Sequence, residues 1–366
     1  MVRVLFLASP FKAHMIQQMI ERFTPRIVSE VATLLYPYSS TSQLGLRDKV
    51  LDRFLPRTTS GRELTNLISS FEPDIVYADS PLYATQQYIS SAIAKRRIPV
   101  VLHLRGNWWQ EYADWFLSAS WRKRVLSLQS FAFQYSGELF ASKITPICKW
   151  LEKIVQNRTV NRQTEVVYQG IDPENFFPEE GFTFRRPGVA IIQNHTIFRK
   201  VAGLLNFRAV IARLPETHFY IAEGEAVPQS FLVKIKQEFS SLPNVRFVSG
   251  ISSIQAVREM LTASDCYVLA SGLDCCPTTV LEASLMGKPV IASRIGGVPE
   301  IVLEGQTGWT IDNNDIDGWV EKLQLVLSDS KLNRSLGRRG REWVSEKFSW
   351  DVIARQVEAM LVSEIQ

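Results

Sequence analysis

No stretch of this chain approaches the run of about 20 apolar residues that a membrane-spanning helix needs. Cysteine is scarce, and the four present (Cys148, Cys266, Cys275, Cys276) fall in no metal-ligand spacing and no disulfide framework. A reducing, cytoplasmic setting is therefore expected, with the adjacent Cys275 and Cys276 as small core residues. The opening MVRVLFLASPFKAHM lacks the longer apolar core and small-residue cleavage site of a secretory signal, and reads as a first buried strand. P-loop, zinc signature, Ser-His-Asp arrangement, internal repeat and low-complexity segment are all missing. Glycine is missing too from the loop after that strand, Ser9–His14, so close backbone approach to a phosphate is not expected there, though Lys12 or His14 can reach an anion.

What is present is an alternation. Apolar, β-rich runs at Val2–Ala8, Asp74–Tyr77, Pro99–His103, Leu139–Phe140 and Glu165–Tyr168 are followed by a second series. That series comprises Val189–Gln193, His218–Ala222, Val245–Phe247, Cys266–Leu269, Val290–Ala292 and Gly308–Ile311. Helical spacing fills the gaps, for instance over Gly61–Ser70, Thr85–Lys95, Val201–Ala212, Ser230–Phe239, Ile254–Ala263 and Asp317–Ser328. Strand–helix alternation of this kind predicts an α/β fold of two doubly wound, Rossmann-like domains with parallel sheets. The proline-bounded, charged segment Pro178–Pro187 reads as the linker. The expected division is 1–178, 188–346, and a closing helix over 347–366. Parallel sheets bind ligands at the carboxyl ends of their strands, so a cleft between the domains is the expected site.

Charge is uneven. Residues 1–165 carry 21 Lys+Arg against 13 Asp+Glu, a balance of +8, while the remainder has 41 − 21 = 20 basic against 37 − 13 = 24 acidic residues, a balance of −4. A basic first half fits an anionic partner such as phospholipid headgroups or a phosphate-linked acceptor, and equally fits ordinary surface variation. No nucleic-acid partner is expected.

The segment Ser271–Ser293, SGLDCCPTTVLEASLMGKPVIAS, places Asp274 eight residues before Glu282. Between them Pro277-Thr278-Thr279 marks a helix start, with Thr278 or Thr279 as its cap, and Gly287-Lys288-Pro289 turns into a strand. Helix starts bind anions through free N–H groups. Carboxylates on either side accept hydrogen bonds from sugar or ribose hydroxyls. Together these features predict a nucleotide-sugar donor site.

The same residues resemble the donor signature of the retaining, GT-B, glycosyltransferase family 4 class. Pro277, Leu281-Glu282-Ala283 and Gly287-Lys288-Pro289-Val290 match, while Asp274 replaces the first Glu and Cys275-Cys276 replace Gly-Phe. Tyr168-Gln169-Gly170-Ile171-Asp172, Gly296-Gly297-Val298-Pro299-Glu300, Gly305-Gln306-Thr307-Gly308 and Phe348-Ser349-Trp350 extend the resemblance, which covers most of residues 140–366. It implies a GT-B fold and a final helix, Trp350–Ile365, crossing back to the first domain.

The resemblance also implies roles. Lys200 falls on the family lysine that holds the diphosphate, and His195 on its arginine; Arg199 is the candidate replacement for that charge, being suited to phosphate. Asp274 would accept hydrogen bonds from the donor sugar and Glu282 from the ribose, with the amides of Thr278 and Thr279, after Pro277, on the phosphates. Arg105-Gly106 takes the place of a His-Gly pair that contacts the sugar; His103 shares its strand face, and Arg105 is preferred. Asp274, Lys200 and Arg105 are thus the candidate catalytic residues. Asp315-Ile316-Asp317 reads as a helix cap, and no metal or other cofactor is expected.

Trp108, Trp109, Tyr112, Trp115, Phe116 and Trp121 precede Arg122-Lys123-Arg124, which suits a membrane surface or an acceptor-sugar platform; packing in the core is the alternative. The function expected is transfer of a hexosyl group from a UDP- or GDP-sugar to an acceptor hydroxyl, on a lipid-linked or polysaccharide intermediate, at the inner face of the membrane. The departures at Asp274, His195 and the glycine-free first loop keep two alternatives open. One is a non-catalytic nucleotide-sugar-binding subunit; the other is a GT-B nucleotide-sugar epimerase.

Overall fold

The structure is a computed structural model that describes residues 1–9, 12–33, 58–93, 95–118, 121–193, 198–223 and 229–365. The chain divides into two compact units, one formed by Met1–Gly170 with Trp350–Gln366 and the other by Ile171–Ser349.

In the first unit the elements follow as β1 (Val2–Ala8), α1 (Ala13–Ile20), β2 (Ile27–Thr33), α2 (Thr58–Phe71), β3 (Ile75–Ala78), α3 (Pro81–Ile93) and β4 (Val100–Leu104). Then come α4 (Trp108–Ser118), α5 (Trp121–Phe140), β5 (Lys143–Pro146) and α6 (Lys149–Arg158). The sheet is parallel throughout, in the order β2-β1-β3-β4-β5. Val4 to Leu7 and Ile75 to Val76 are fully buried, as strands covered by helices on both faces must be.

The second unit runs through β6 (Gly188–Ile191), α7 (Phe198–Ala212), β7 (His218–Ala222), α8 (Gln229–Phe239), β8 (Val245–Val248), α9 (Ile254–Ala263) and β9 (Cys266–Leu269). It continues with α10 (Thr278–Leu285), β10 (Val290–Ser293), α11 (Val298–Ile301), β11 (Gly308–Ile311), α12 (Ile316–Ser328) and α13 (Ser330–Phe348). Its sheet is also parallel, ordered β11-β10-β9-β6-β7-β8. The last helix, α14 (Trp350–Ser363), belongs to the first unit. Its Trp350, Ile353, Val357 and Leu361 pack with Phe6, Tyr77 and Val101 in one core.

In each sheet the direction in which successive strands are added reverses once. In the first unit the order reverses between β1 and β3, and in the second between β6 and β9. At such a switch point the two flanking loops diverge to opposite faces and leave a crevice outside the carboxyl ends. The loop after β9 carries Asp274, and Lys200 lies in the first turn of α7, the helix that follows β6.

Several sequence expectations are corrected. Leu139–Phe140 is the last turn of α5 rather than a strand, with both side chains substantially exposed; the fifth strand is Lys143–Pro146. Glu165–Tyr168 is extended and donates backbone bonds to Ile144 O and Pro146 O without forming a named strand. Pro178–Pro187 is no free linker. Glu179 N donates to Thr262 Oγ1 at 3.0 Å, Arg185 N donates to Tyr220 Oη at 2.7 Å, and Phe184 stacks on Tyr220 with ring centroids 3.7 Å apart. The cap reading of Asp315 holds, since its carboxylate accepts from Gly318 N at 2.9 Å. Asp317 pairs with Arg213.

Trp108 and Trp109 are buried, so they form core rather than an interfacial platform. Trp108 Nε1 donates to Glu138, whose carboxyl is pushed up to about 8 by burial. The side chains of Trp115, Trp121, Arg122 and Lys123 lie outside the described residues. Among the described residues, no helix is long and apolar enough to cross a membrane.

Candidate functional site

In the second unit, β9 ends at Leu269 and the chain turns through Ser271 and Gly272 to Asp274. This turn lies so close to the start of α7 that neither side tolerates a side chain. A Cβ on Gly203 would stand 2.3 Å from Ser271 C, and one on Gly272 would stand 2.2 Å from Arg199 O. Gly272 N donates to Arg199 O at 3.1 Å. The approach brings Lys200 against Asp274, with Nζ 2.7 Å from Oδ2 and side chains 18% and 13% exposed. The other carboxylate oxygen of Asp274 accepts from Cys275 N at 3.2 Å. A charge pair this sheltered is screened less than one on an open surface, and it holds a cation and an acceptor at fixed positions.

Helix α10 begins beside this pair. Its N-cap position is Pro277 and no side chain caps it, which corrects the expectation that Thr278 or Thr279 would do so. Thr278 is exposed, whereas the Thr279 hydroxyl meets Tyr267 Oη at 2.7 Å, and Tyr267 in turn donates to Ile192 O at 2.8 Å. Val280 N donates back to Pro277 O at 3.1 Å, and the amides of Thr278 and Thr279 are left to a ligand or to water. Burial raises the Tyr267 phenol well above its usual range, and the charges of Glu282 and Asp274 push it the same way.

Glu282, on the second turn of α10, has its carboxyl pushed up to about 7 by burial alone. Between its unfolded value near 4.5 and about 7 the folded state binds the extra proton, so stability falls as pH rises through that window. Discounted for the partial exposure of the residue, the loss is roughly 1–2 kcal/mol. Melting curves at pH 5 and pH 8 are expected to show this loss in the wild type and a smaller one in Glu282→Gln.

Arg199 is exposed at the first turn of α7. His195 lies outside the described residues, as does the rest of 194–197. Gln193, to which sequence reasoning assigned no role, is buried with Oε1 unpartnered, and its Nε2 lies 3.4 Å from Lys200 O. Tyr267 was missed because a strand tyrosine with no motif around it reads as core.

In the first unit, Arg105 follows β4 and is held rather than loose. Its Nε donates to Asp79 Oδ1 at 2.5 Å and its Nη1 to Gln169 Oε1, with Arg105 14% and Asp79 1% exposed in their side chains. His103 stacks on Tyr77 at 5.8 Å and pairs through Nδ1 with Thr145 Oγ1 at 3.1 Å. Burial first, then the charges of Arg105 and Lys12, hold His103 well below its usual range, so it is neutral. A small recess lined by Tyr77, His103, Arg105, Gln169 and Trp350 opens here. Among the described residues, no group of three or more His, Cys, Asp or Glu side chains is placed to hold a metal ion.

Residues 198–343, which contain Lys200, Asp274, α10 and Glu282, match the family Glycosyl transferases group 1. Curated relatives include N-acetyl-alpha-D-glucosaminyl L-malate synthase of Bacillus anthracis, 27% identical over 209 residues that make up 55% of this chain and 54% of the relative. Sulfoquinovosyl transferase SQD2 of Arabidopsis thaliana is 25% identical over 299 residues, 77% of this chain and 55% of the relative. The chain spans about half the length of these curated relatives. Among solved structures, sucrose-phosphate synthase from Thermosynechococcus elongatus superposes with a TM-score of 0.77 at 16% identity, covering 99% of each chain. HepE of Anabaena in complex with UDP-glucose gives 0.72 at 16% identity, covering 99% of this chain and 100% of that one. The chain therefore has the GT-B fold, and its residues 198–343 are similar to the family Glycosyl transferases group 1.

Proposed function

We propose that this protein is a retaining transferase that moves a hexosyl group from a UDP- or GDP-sugar to an acceptor hydroxyl on a lipid-linked or polysaccharide intermediate. The observation that carries the reading is the Lys200–Asp274 pair at the switch point between β6 and β9, beside the uncapped start of α10. Breaking the bond between the anomeric carbon and the diphosphate builds negative charge on the leaving oxygen. Lys200, Arg199 and the α10 amides supply the positive field, so this reading requires no metal. Asp274 accepts from the sugar hydroxyls and Glu282 from the ribose. Arg105, already oriented by Asp79 and Gln169, is the first unit's candidate catalytic group.

In this scheme the acceptor oxygen bonds to the anomeric carbon on the face the diphosphate leaves, and the acceptor proton passes to the departing phosphate. Retention rests on the resemblance to family 4. Two relatives support the donor class. A GDP-mannose-dependent phosphatidylinositol monomannoside mannosyltransferase of Mycolicibacterium smegmatis is 29% identical over 199 residues, and HepE binds UDP-glucose. Exposed Tyr88, Ile89, Leu139 and Phe140 on the basic first unit support placement at the inner face of the membrane.

The test is nucleotide release from UDP-, GDP- and ADP-sugars, with and without a membrane lipid extract, comparing wild type with Glu282→Ala. One donor should give acceptor-dependent release, and the variant should raise the KM for that donor about tenfold, in line with one charge-assisted hydrogen bond lost. Saturable nucleotide binding without release under any condition would sink the transferase reading in favour of a binding subunit.

A further inference from the structure

The geometry points to Asn313 as a positioning residue for the Lys200–Asp274 pair, an inference that rests on the donor-site reading and deepens it. Asn313 lies two residues past β11, and its amide is used on both sides. Oδ1 accepts from Ser293 Oγ at 2.5 Å, and Nδ2 donates to Ser271 O at 2.9 Å. Ser293, the last residue of β10 and fully buried, also accepts from Ser271 N at 3.0 Å. The Ser271 hydroxyl donates to Leu273 O at 3.1 Å.

The backbone N–H and C=O of Ser271, three residues before Asp274, are thereby held by side chains at the ends of the next two strands, and its hydroxyl by the turn itself. On the opposite side the start of α7 bears on the same turn, through Gly203 and Arg199 O. The turn is clamped between the two. Lys200 belongs to the α7 jaw and Asp274 follows the clamped residues, so the separation of Nζ and Oδ2 is set by the clamp. Asn313 closes the jaw that contains no part of α7. Its loss frees the turn from one side only, which shifts Asp274 relative to Lys200 and leaves α10 and Glu282 in place. Displacements on the order of 1 Å at such a site cost up to about 100-fold in rate.

The experiment reads Lys200 directly. Wild type and Asn313→Ala are treated briefly with an amine-reactive reagent, and the modification rates of Lys200 and exposed Lys234 are followed by peptide mass spectrometry. We expect Lys200 to react at least about fivefold faster in the variant while Lys234 and the melting temperature are unchanged. Nucleotide affinity should stay within threefold as kcat falls by up to about tenfold, the loss expected from removing Asp274 itself. Ser293→Ala, which removes the same jaw from the other strand, should reproduce the pattern and serves if Asn313→Ala does not fold. Unchanged Lys200 labelling in both variants would overturn the assignment, as would a parallel rise at Lys234 with a lowered melting temperature. Labelling needs no turnover: a wild type that transfers no sugar removes the transferase reading alone, and the Lys200 rates still decide the role of Asn313.

Discussion

Lys200→Ala is expected to lower kcat by about 10²–10³-fold while changing the KM for donor less than threefold. The ammonium is prepaired with Asp274 at 2.7 Å in a largely sheltered position, so it needs no reorganisation when charge develops on the leaving diphosphate. An interaction that strengthens only as the bond breaks appears in kcat rather than in KM. Some structural loss is expected too, on the order of 1–3 kcal/mol, because the sheltered Asp274 carboxylate is left without its cation. Asp274→Ala leaves the cation in place and should cost about tenfold, by loss of sugar contacts. The double variant should be no worse than Lys200→Ala, since the carboxylate without its lysine no longer holds the sugar at the reacting position. Steady-state kinetics on the donor found by nucleotide release would measure all three. A Lys200→Ala enzyme within threefold of wild type in kcat, with a lowered melting temperature, would make the pair a structural tie.

The second large effect belongs to Gly203→Ala. Two contributions oppose each other. Alanine is the better helix former by about 1 kcal/mol, which favours the variant within α7. Against this, the new methyl would sit 2.3 Å from Ser271 C and 2.6 Å from Gly272 N. Both are backbone atoms, so no rotamer change relieves the overlap, and overpacking of this kind costs about 3 kcal/mol or more. The clash wins by about 2 kcal/mol or more, which for a domain of this size lowers the melting temperature by roughly 4–8 °C. Activity should fall as well, because the helix that carries Lys200 is pushed off the turn that leads to Asp274. Calorimetry and kcat on the same preparation test it; a raised melting temperature would mean that the turn moves away at little cost.

Much of this is legible in the amino-acid sequence alone. The inner second-unit strands are apolar runs between helical periods, legible to within one or two residues because a strand buried on both faces has few polar interruptions; the edge strand β8, with exposed Arg246, is the exception. Leu139–Phe140 misled for the converse reason: two apolar residues at the end of a polar helix look like a short strand when its 3.6-residue period is not followed back to Trp121. The spacing of Asp274 and Glu282, with Pro277 between them, was enough to put two carboxylates about one helix start. Thr279 was misassigned as a cap because its hydroxyl has a better partner in Tyr267, a strand residue twelve positions earlier. The Ser271–Ser293–Asn313 clamp could not be read at all. Its members are ordinary polar residues 20 and 42 positions apart, joined only because β9, β10 and β11 are sheet neighbours.

That α14 belongs to the first unit has a consequence for how the chain is made. The core of that unit needs Trp350, Ile353, Val357 and Leu361, yet these leave the ribosome after the whole of the second unit. At about 5–20 residues per second, the intervening segment takes on the order of 10–40 s to emerge. The second unit, continuous in sequence, can complete its fold while the first still presents an open apolar face. The domain that starts first is therefore the one that closes last, and for that interval a nascent chain must shield a surface that the finished protein never shows.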